Sequence, residues 1–297
     1  DDLWDLTRDH FAFNHARSNP RIDAQVIWFK KHPRYINRVV KRASRYYYYV
    51  LNETIKRGLP AELALLPIVE SAYDPFAYSH GRAAGAWQFI PSTGKYFGLK
   101  KTWWYDGRRD IIASTDAALT YLQQLHKRFD DWELALAAYN AGGGTVSLAM
   151  KKNRRKGKPT DFWSLNLPAE TEAYVPKLLA IAKVFSAPKQ HGVTIPPIKN
   201  TPYFTQVTTE SQIDLAQAAD LAGISAEELY QLNPGFNRWA TDPQGPHRLL
   251  IPVTNAAQFE NNLAALPADQ RVKWARHKIK AGESLIGIAK QYRTTVT

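Results

Sequence analysis

Residues 63–74 read LALLPIVESAYD: seven apolar residues, Leu63 to Val69, run straight into Glu70. Desolvation disfavours an ionised glutamate at the buried end of an apolar element. Glu70 is therefore either a helix-end charge turned to water or a carboxylic acid kept protonated for chemistry. By itself the stretch leaves both readings open.

Upstream, Pro60 suits the first turn of the helix that carries this run. Residues 1–58 form an N-terminal helical segment in which apolar and aromatic positions alternate with many Lys and Arg. The run Tyr46 to Tyr49 surrounds a helix instead of striping it, so some of it must meet another element. Downstream, Tyr73 to Gly107 is turn-rich, with five glycines and two prolines besides Trp87, Trp103 and Trp104; loops of that length are commonly functional. Helical periodicity returns with Ile111, Thr115, Leu119, Leu122 and Leu125, then with Trp132, Leu136 and Tyr139 up to a stop at Gly142–Gly144. Residues 151–158, KKNRRKGK, read as a solvated basic loop. Tyr174, Leu178, Ile181 and Phe185 stripe a last helix, which places a helical domain over 59–187.

Pro188, Pro196, Pro197 and Pro202 then mark a linker over 188–202. Residues 203–253 form a small βααβ unit with helices near Gln212–Leu221 and Ala226–Leu232 and a closing strand near Arg248–Val253. A linker is expected over 254–274. The stretch from 275 to 297 partly repeats the small unit: Glu210-Ser211 aligns with Glu283-Ser284, and Ile213, Leu215 and Ala216 with Ile286, Ile288 and Ala289.

A chain of 297 residues with 44% apolar and 12% aromatic content has ample core for two domains. The net charge of +12 attracts polyanions without saying which: nucleic acid, an anionic membrane face and an acidic wall polymer all qualify. Without cysteine there is no disulfide, thiol nucleophile or thiolate metal site. The eight histidines are scattered without ligand spacing, so no metal and no cofactor is expected. No run is long and apolar enough to span a bilayer, and the start at Asp1 suggests a processed form. No phosphate-binding glycine loop and no G-x-S-x-G elbow occurs. Glycoside cleavage ordinarily needs a second carboxylate. Asp74 sits in a turn before Pro75, Asp110 reads as a helix start, Asp116 as a solvent face, and Asp106 has no stronger claim.

Glu70-Ser71-Ala72-Tyr73-Asp74-Pro75, then Gly81-Arg82-Ala83-Ala84-Gly85-Ala86-Trp87-Gln88 with Phe89-Ile90-Pro91-Ser92-Thr93-Gly94, then Ala138-Tyr139-Asn140-Ala141-Gly142, with Glu170-Thr171 and Tyr174-Val175 later, resemble the signatures of the soluble lytic transglycosylase family. Where that family has Leu-Met in the second signature, this chain has Ala86-Trp87. The resemblance implies a mainly α, goose-lysozyme-like catalytic domain. It also implies cleavage of the N-acetylmuramic acid–N-acetylglucosamine bond of peptidoglycan to 1,6-anhydro ends. Glu70 would be the single acid/base, assisted by the substrate's acetamido group.

The matched positions imply substrate contacts for Ser71, Gln88, Trp87, Tyr139, Asn140 and Tyr174. Trp87 is the tryptophan expected to face sugar, Trp103 and Trp104 are expected in the core, and Asn140 is expected to tie its turn to the Glu70 helix. The C-terminal part resembles LysM modules, the copy at 203–253 being degenerate. Peptidoglycan strands are the implied partner of a monomer in the periplasm, with a lipid anchor to the outer membrane outside this chain. Nucleic acid is not implied. A hydrolytic muramidase and a non-catalytic wall-binding protein are the alternatives.

Overall fold

The computed structural model describes residues 2–272 and 277–296. Helices α1 (Leu3–Asp9), α2 (Pro20–Lys31), α3 (Pro33–Ala43) and α4 (Tyr47–Lys56) open the chain. Asn19 caps α2 by accepting from the Arg21 N–H at 3.0 Å, and Pro20 follows at the first helical position. The apolar run then winds as a 3₁₀ turn, Ala61–Leu65, before α5 (Leu66–Ser71). α6 (Pro91–Tyr96) lies inside the turn-rich segment. α7 (Ile111–Phe129), α8 (Trp132–Ala141), α9 (Gly143–Arg155) and α10 (Ala169–Ser186) complete the helical domain. α10 is its axis: Val175, Leu178, Ala180, Ile181, Ala182 and Val184 are at most 1% exposed, and α10 packs against α2, α8 and α5.

The basic stretch 151–158 is helical as far as Arg155, contrary to the loop expected there. Lys151, Lys152, Arg154 and Arg155 face water, while the buried Asn153 donates to the carbonyls of Pro159 and Ser164, both at 2.8 Å. Cations also suit a helix C-terminus. The helix stop at Gly142 is real, with φ of 88°, but α9 starts at the next residue.

The tyrosine run meets three elements. Tyr47 shares a 2.8 Å hydrogen bond with Thr7 of α1, and Tyr46 donates to the Gln231 carbonyl at 2.6 Å. The Tyr49 ring lies 5.7 Å from that of Phe204. The proline-rich stretch is not a loose linker. The Leu3 N–H donates to the Ile198 carbonyl and the Trp4 indole to that of Pro196, each at 2.8 Å, with Val193 and Ile198 buried.

Beyond it, β1 (Phe204–Thr208), α11 (Leu215–Ala222), α12 (Ala226–Leu232) and β2 (Arg248–Pro252) form a βααβ unit. Its strands pair antiparallel from Phe204↔Pro252 to Thr208↔Arg248. Residues 254–274 are not simply a linker: α13 (Ala256–Ala265) places Phe259 and Leu263 in the core of this unit. Two apolar side chains four apart on one helix face seal the back of a two-stranded sheet that has too little surface to close its own core. In the partial repeat, Ser284 caps α14 (Leu285–Gln291) by accepting from the Gly287 N–H at 3.1 Å. Ala275, Arg276 and Thr297 of that repeat lie outside the described residues.

The small unit is docked on the helical domain. Trp104 and Tyr105, at 5% and 3% exposed, belong to the core of the small unit, while Trp103 is 58% exposed. The expectation that Trp103 and Trp104 both lie in a core holds for Trp104 alone; their rings meet edge-on, so burying one turns the other outward. The Asp106 N–H donates to the Gly235 carbonyl and the Asn237 N–H to that of Trp104, at 2.8 and 2.7 Å. Asp110 caps α7 through the Ala113 N–H and also accepts from Tyr105 and from Arg248 of β2.

Candidate active site

Glu70 stands in the last turn of α5, and the chain fixes that turn from both sides. Leu63, Ala64, Leu65 and Leu66 are fully buried. Ala72 and Tyr73 then adopt left-handed φ values of 50° and 56°, a conformation that costs non-glycine residues about 1–2 kcal/mol each. It is held by the Ala72 and Tyr73 N–H groups donating to the Ile68 and Pro67 carbonyls, and by the buried Tyr73 hydroxyl donating to the Ala64 carbonyl at 2.7 Å. The helix thus ends one residue after the carboxylate, and Glu70 lies half-buried in the wall of a cleft of about 670 Å³.

The opposite wall is the loop 77–90. Gly85, with φ of 85°, is obligatory: a Cβ there would stand 2.0 Å from the Arg108 carbonyl oxygen. Gln88 also has a positive φ, and its side-chain N–H groups donate to the carbonyls of Ala77 and Gly85 at 3.1 and 2.8 Å. With both amide protons used, its side-chain oxygen remains as acceptor for a sugar hydroxyl or N-acetyl N–H. Ser71 donates to the Ala86 carbonyl at 2.8 Å, so it ties the acid helix to this loop. Tyr139 donates to the Trp87 carbonyl at 2.8 Å and lines the cleft with Asn140.

Two expected contacts are overturned. Trp87 does not face sugar: it is fully buried, and its indole N–H donates to Thr115 of α7 at 3.0 Å. Standing where the family has an apolar side chain, it plugs the core behind the loop. Asn140 does not reach the Glu70 helix; its side-chain oxygen accepts from Thr171 of α10 at 2.8 Å. Of the expected site residues, Glu70, Gln88, Tyr139, Asn140 and Tyr174 line one cleft, and Ser71 sits behind Glu70.

Tyr174 donates to Glu70 Oε1 at 2.5 Å. Burial pushes the Glu70 carboxyl up to about 8, with Glu170 adding to the rise and the Tyr174 bond and Lys177 opposing it. Glu170, exposed on the rim and part of the last signature, and Lys177, one turn beyond Tyr174 and not singled out by the sequence, are the charged neighbours of Glu70. Their signal was the i, i+3, i+4, i+7 spacing of 170, 173, 174 and 177 on one helix. A carboxyl raised in this way is protonated below about 8, so an acid-dependent step is available at neutral pH and lost as pH rises through about 8. The Tyr174 bond favours the ionised form. Tyr174→Phe is therefore expected to move the alkaline limb of the kcat/KM profile upward in pH. It should also lower kcat about ten- to hundred-fold through loss of a charge-assisted contact. A limb that stays in place would remove Tyr174 from the control of Glu70.

Residues 50–162 match the transglycosylase SLT domain, and residues 203–268 match the LysM-like domain of lytic transglycosylase MltD, which takes in α13. Relatives include membrane-bound lytic murein transglycosylase D of Escherichia coli K12, 41% identical over 97% of this chain; the chain spans 66% of that protein's length. A putative tributyltin chloride resistance protein of an Alteromonas species is 40% identical over 60% of this chain and 80% of its own length. The solved structure of the lytic transglycosylase Slt from Pseudomonas aeruginosa is 26% identical, with a TM-score of 0.36, over 49% of this chain and 24% of that one. With both signature domains in order, and the acid, the amide and the two tyrosines of the motifs gathered in one cleft, the chain belongs to the lytic murein transglycosylases of the SLT-domain family.

Proposed function

We propose that the chain cleaves the β-1,4 bond between N-acetylmuramic acid and N-acetylglucosamine in peptidoglycan without water, leaving 1,6-anhydromuramoyl ends. The observation that carries this reading is a single carboxyl, Glu70, half-buried in the cleft wall, bonded to Tyr174 and raised in pKa by burial, in a cleft whose other carboxylate, Glu170, is exposed on the rim. Glu70 donates its proton to the glycosidic oxygen as the C1–O bond breaks. The acetamido oxygen of the muramoyl residue supports C1 on the face where a protein nucleophile would otherwise stand. Glu70, now ionised and held by the Tyr174 hydroxyl, takes the proton of the C6 hydroxyl as that oxygen closes on C1. The acid is restored in the same step. Gln88 and Asn140 orient the sugar from the two sides of the cleft, and Ser71 and Tyr139 position the acid and its facing loop.

Glu170 supports a second reading, hydrolysis, since a solvated carboxylate at the rim can activate water. Mass spectrometry of the products separates the two. Muropeptides lighter by one water, with no reducing muramic acid end, are expected; reducing ends would make the enzyme a muramidase. The membrane-bound relative supports a place in the cell envelope; we further propose a periplasmic monomer held at the inner face of the outer membrane by a lipid anchor. No helix among the described residues is long and apolar enough to cross a membrane.

A further inference from the structure

Helices α2 and α3 turn outward a face that the cleft does not use. Between Asp23 and Glu53 the sequence holds no acidic residue. On α3, Ile36, Val39, Val40 and Ala43 face the core, which leaves Arg34, Arg38 and Lys41 exposed in one row at i, i+4 and i+7. On α2, Ile22 and Phe29 face inward, and the opposite row carries Ala24, Ile27, Trp28 and Lys31. Ile27 is 53% exposed and Trp28 38%. The two rows meet at His32, whose ring stacks on Trp28 with centroids 4.1 Å apart.

Nearby carboxylates are committed elsewhere. Asp74 lies 3.9 Å from Arg42, Glu228 holds Arg45, and Asp23 faces Lys183. Among the described residues no ion pair includes Arg34, Arg38, Lys41 or Lys31.

We propose that this face binds an anionic phospholipid surface. The row on α3 supplies a salt-sensitive attraction to headgroup phosphates. Ile27 and Trp28 enter the boundary between headgroups and acyl chains, where an aliphatic side chain and an indole with an apolar body and a polar N–H are both favoured. An acidic glycan or a nucleic acid would use the cations but gain little from Ile27, and this difference favours lipid. No residue lining the cleft comes from α2 or α3, so the face and the cleft can be engaged at once.

The test is co-sedimentation of the 297-residue chain with phosphatidylcholine vesicles, with and without phosphatidylglycerol, at low and high salt. Binding is expected only with the anionic lipid and is expected to weaken with salt. The triple variant Arg34→Glu, Arg38→Glu, Lys41→Glu should bind at least about thirty-fold more weakly. Ile27→Ser should lower vesicle affinity several-fold and leave heparin binding unchanged. Both variants should keep the wild-type melting temperature and cleave soluble glycan strands normally. Undiminished binding by the triple variant, or equal binding to neutral vesicles, overturns the proposal. Vesicle affinity unaffected by Ile27→Ser would reduce the face to a general polyanion site and overturn the lipid assignment.

Discussion

Glu70→Gln leaves glycan strands almost uncut, with kcat lowered about 10²–10⁴-fold, the span that a positioned general acid contributes. The same substitution should stabilise the protein. In the wild type the unfolded chain releases the Glu70 proton in the ordinary carboxylate range, while the folded chain holds it up to about 8. Over that interval the unfolded state binds fewer protons, so stability falls as pH rises. Glutamine carries no such cost and keeps an oxygen that can accept from Tyr174. Its gain in melting temperature over the wild type should therefore be small at pH 5 and larger at pH 8. Calorimetry at the two pH values, beside a strand-degradation assay, checks both halves. Undiminished degradation would remove Glu70 as the general acid; a gain independent of pH would mean that Glu70 titrates normally.

Trp87→Ala should cost about 3–5 kcal/mol, the range for deleting a large buried aromatic. The side chain is fully enclosed, and its removal also strands the Thr115 hydroxyl in the core. Denaturant unfolding should show a lower midpoint with little change in slope. Because the Trp87 carbonyl receives the Tyr139 hydroxyl, activity should fall with the loop's order, mainly through kcat. A large rise in KM at unchanged stability would instead describe a tryptophan that stacks on sugar.

The contrast between these two residues marks what the sequence discloses. Glu70 was legible in two steps: the seven apolar residues before it raised the question of a buried carboxylate, and the motifs around it, not the run, chose the answer. The βααβ unit was legible in outline, as two helices and a closing strand after the proline-rich stretch, and Asp214 and Ser225 cap those helices. Trp87 was not, because a glycine-rich turn has no period from which to tell inward from outward. Asn140 misled for a different reason. The end of α8 can reach several elements, and only tertiary packing selects Thr171 of α10, thirty-one residues further on. In α9 only Gly143, Val146 and Asn153 are buried, too few to stripe a helix, so its lysines and arginines read as loop. Helix α13 was missed because Phe259 and Leu263 are its only large apolar side chains among alanines and polar residues, and their meaning depends on packing against α11 and β1 earlier in the chain.

The docking of the small unit has an evolutionary consequence. Binding units on free tethers are easily gained, lost or exchanged, since a recombination point in the tether disturbs neither neighbour. Here such a point near residue 202 would strip the cover from Trp104 and Tyr105, leave the Tyr46 hydroxyl without the Gln231 carbonyl and take Arg248 from Asp110. Any replacement unit would also have to offer a backbone carbonyl to the Asp106 N–H where Gly235 stands, at a site where a Cβ would come within 2.9 Å of the Tyr105 ring. Enzyme and unit are therefore bound to descend together, with substitutions in one compensated in the other.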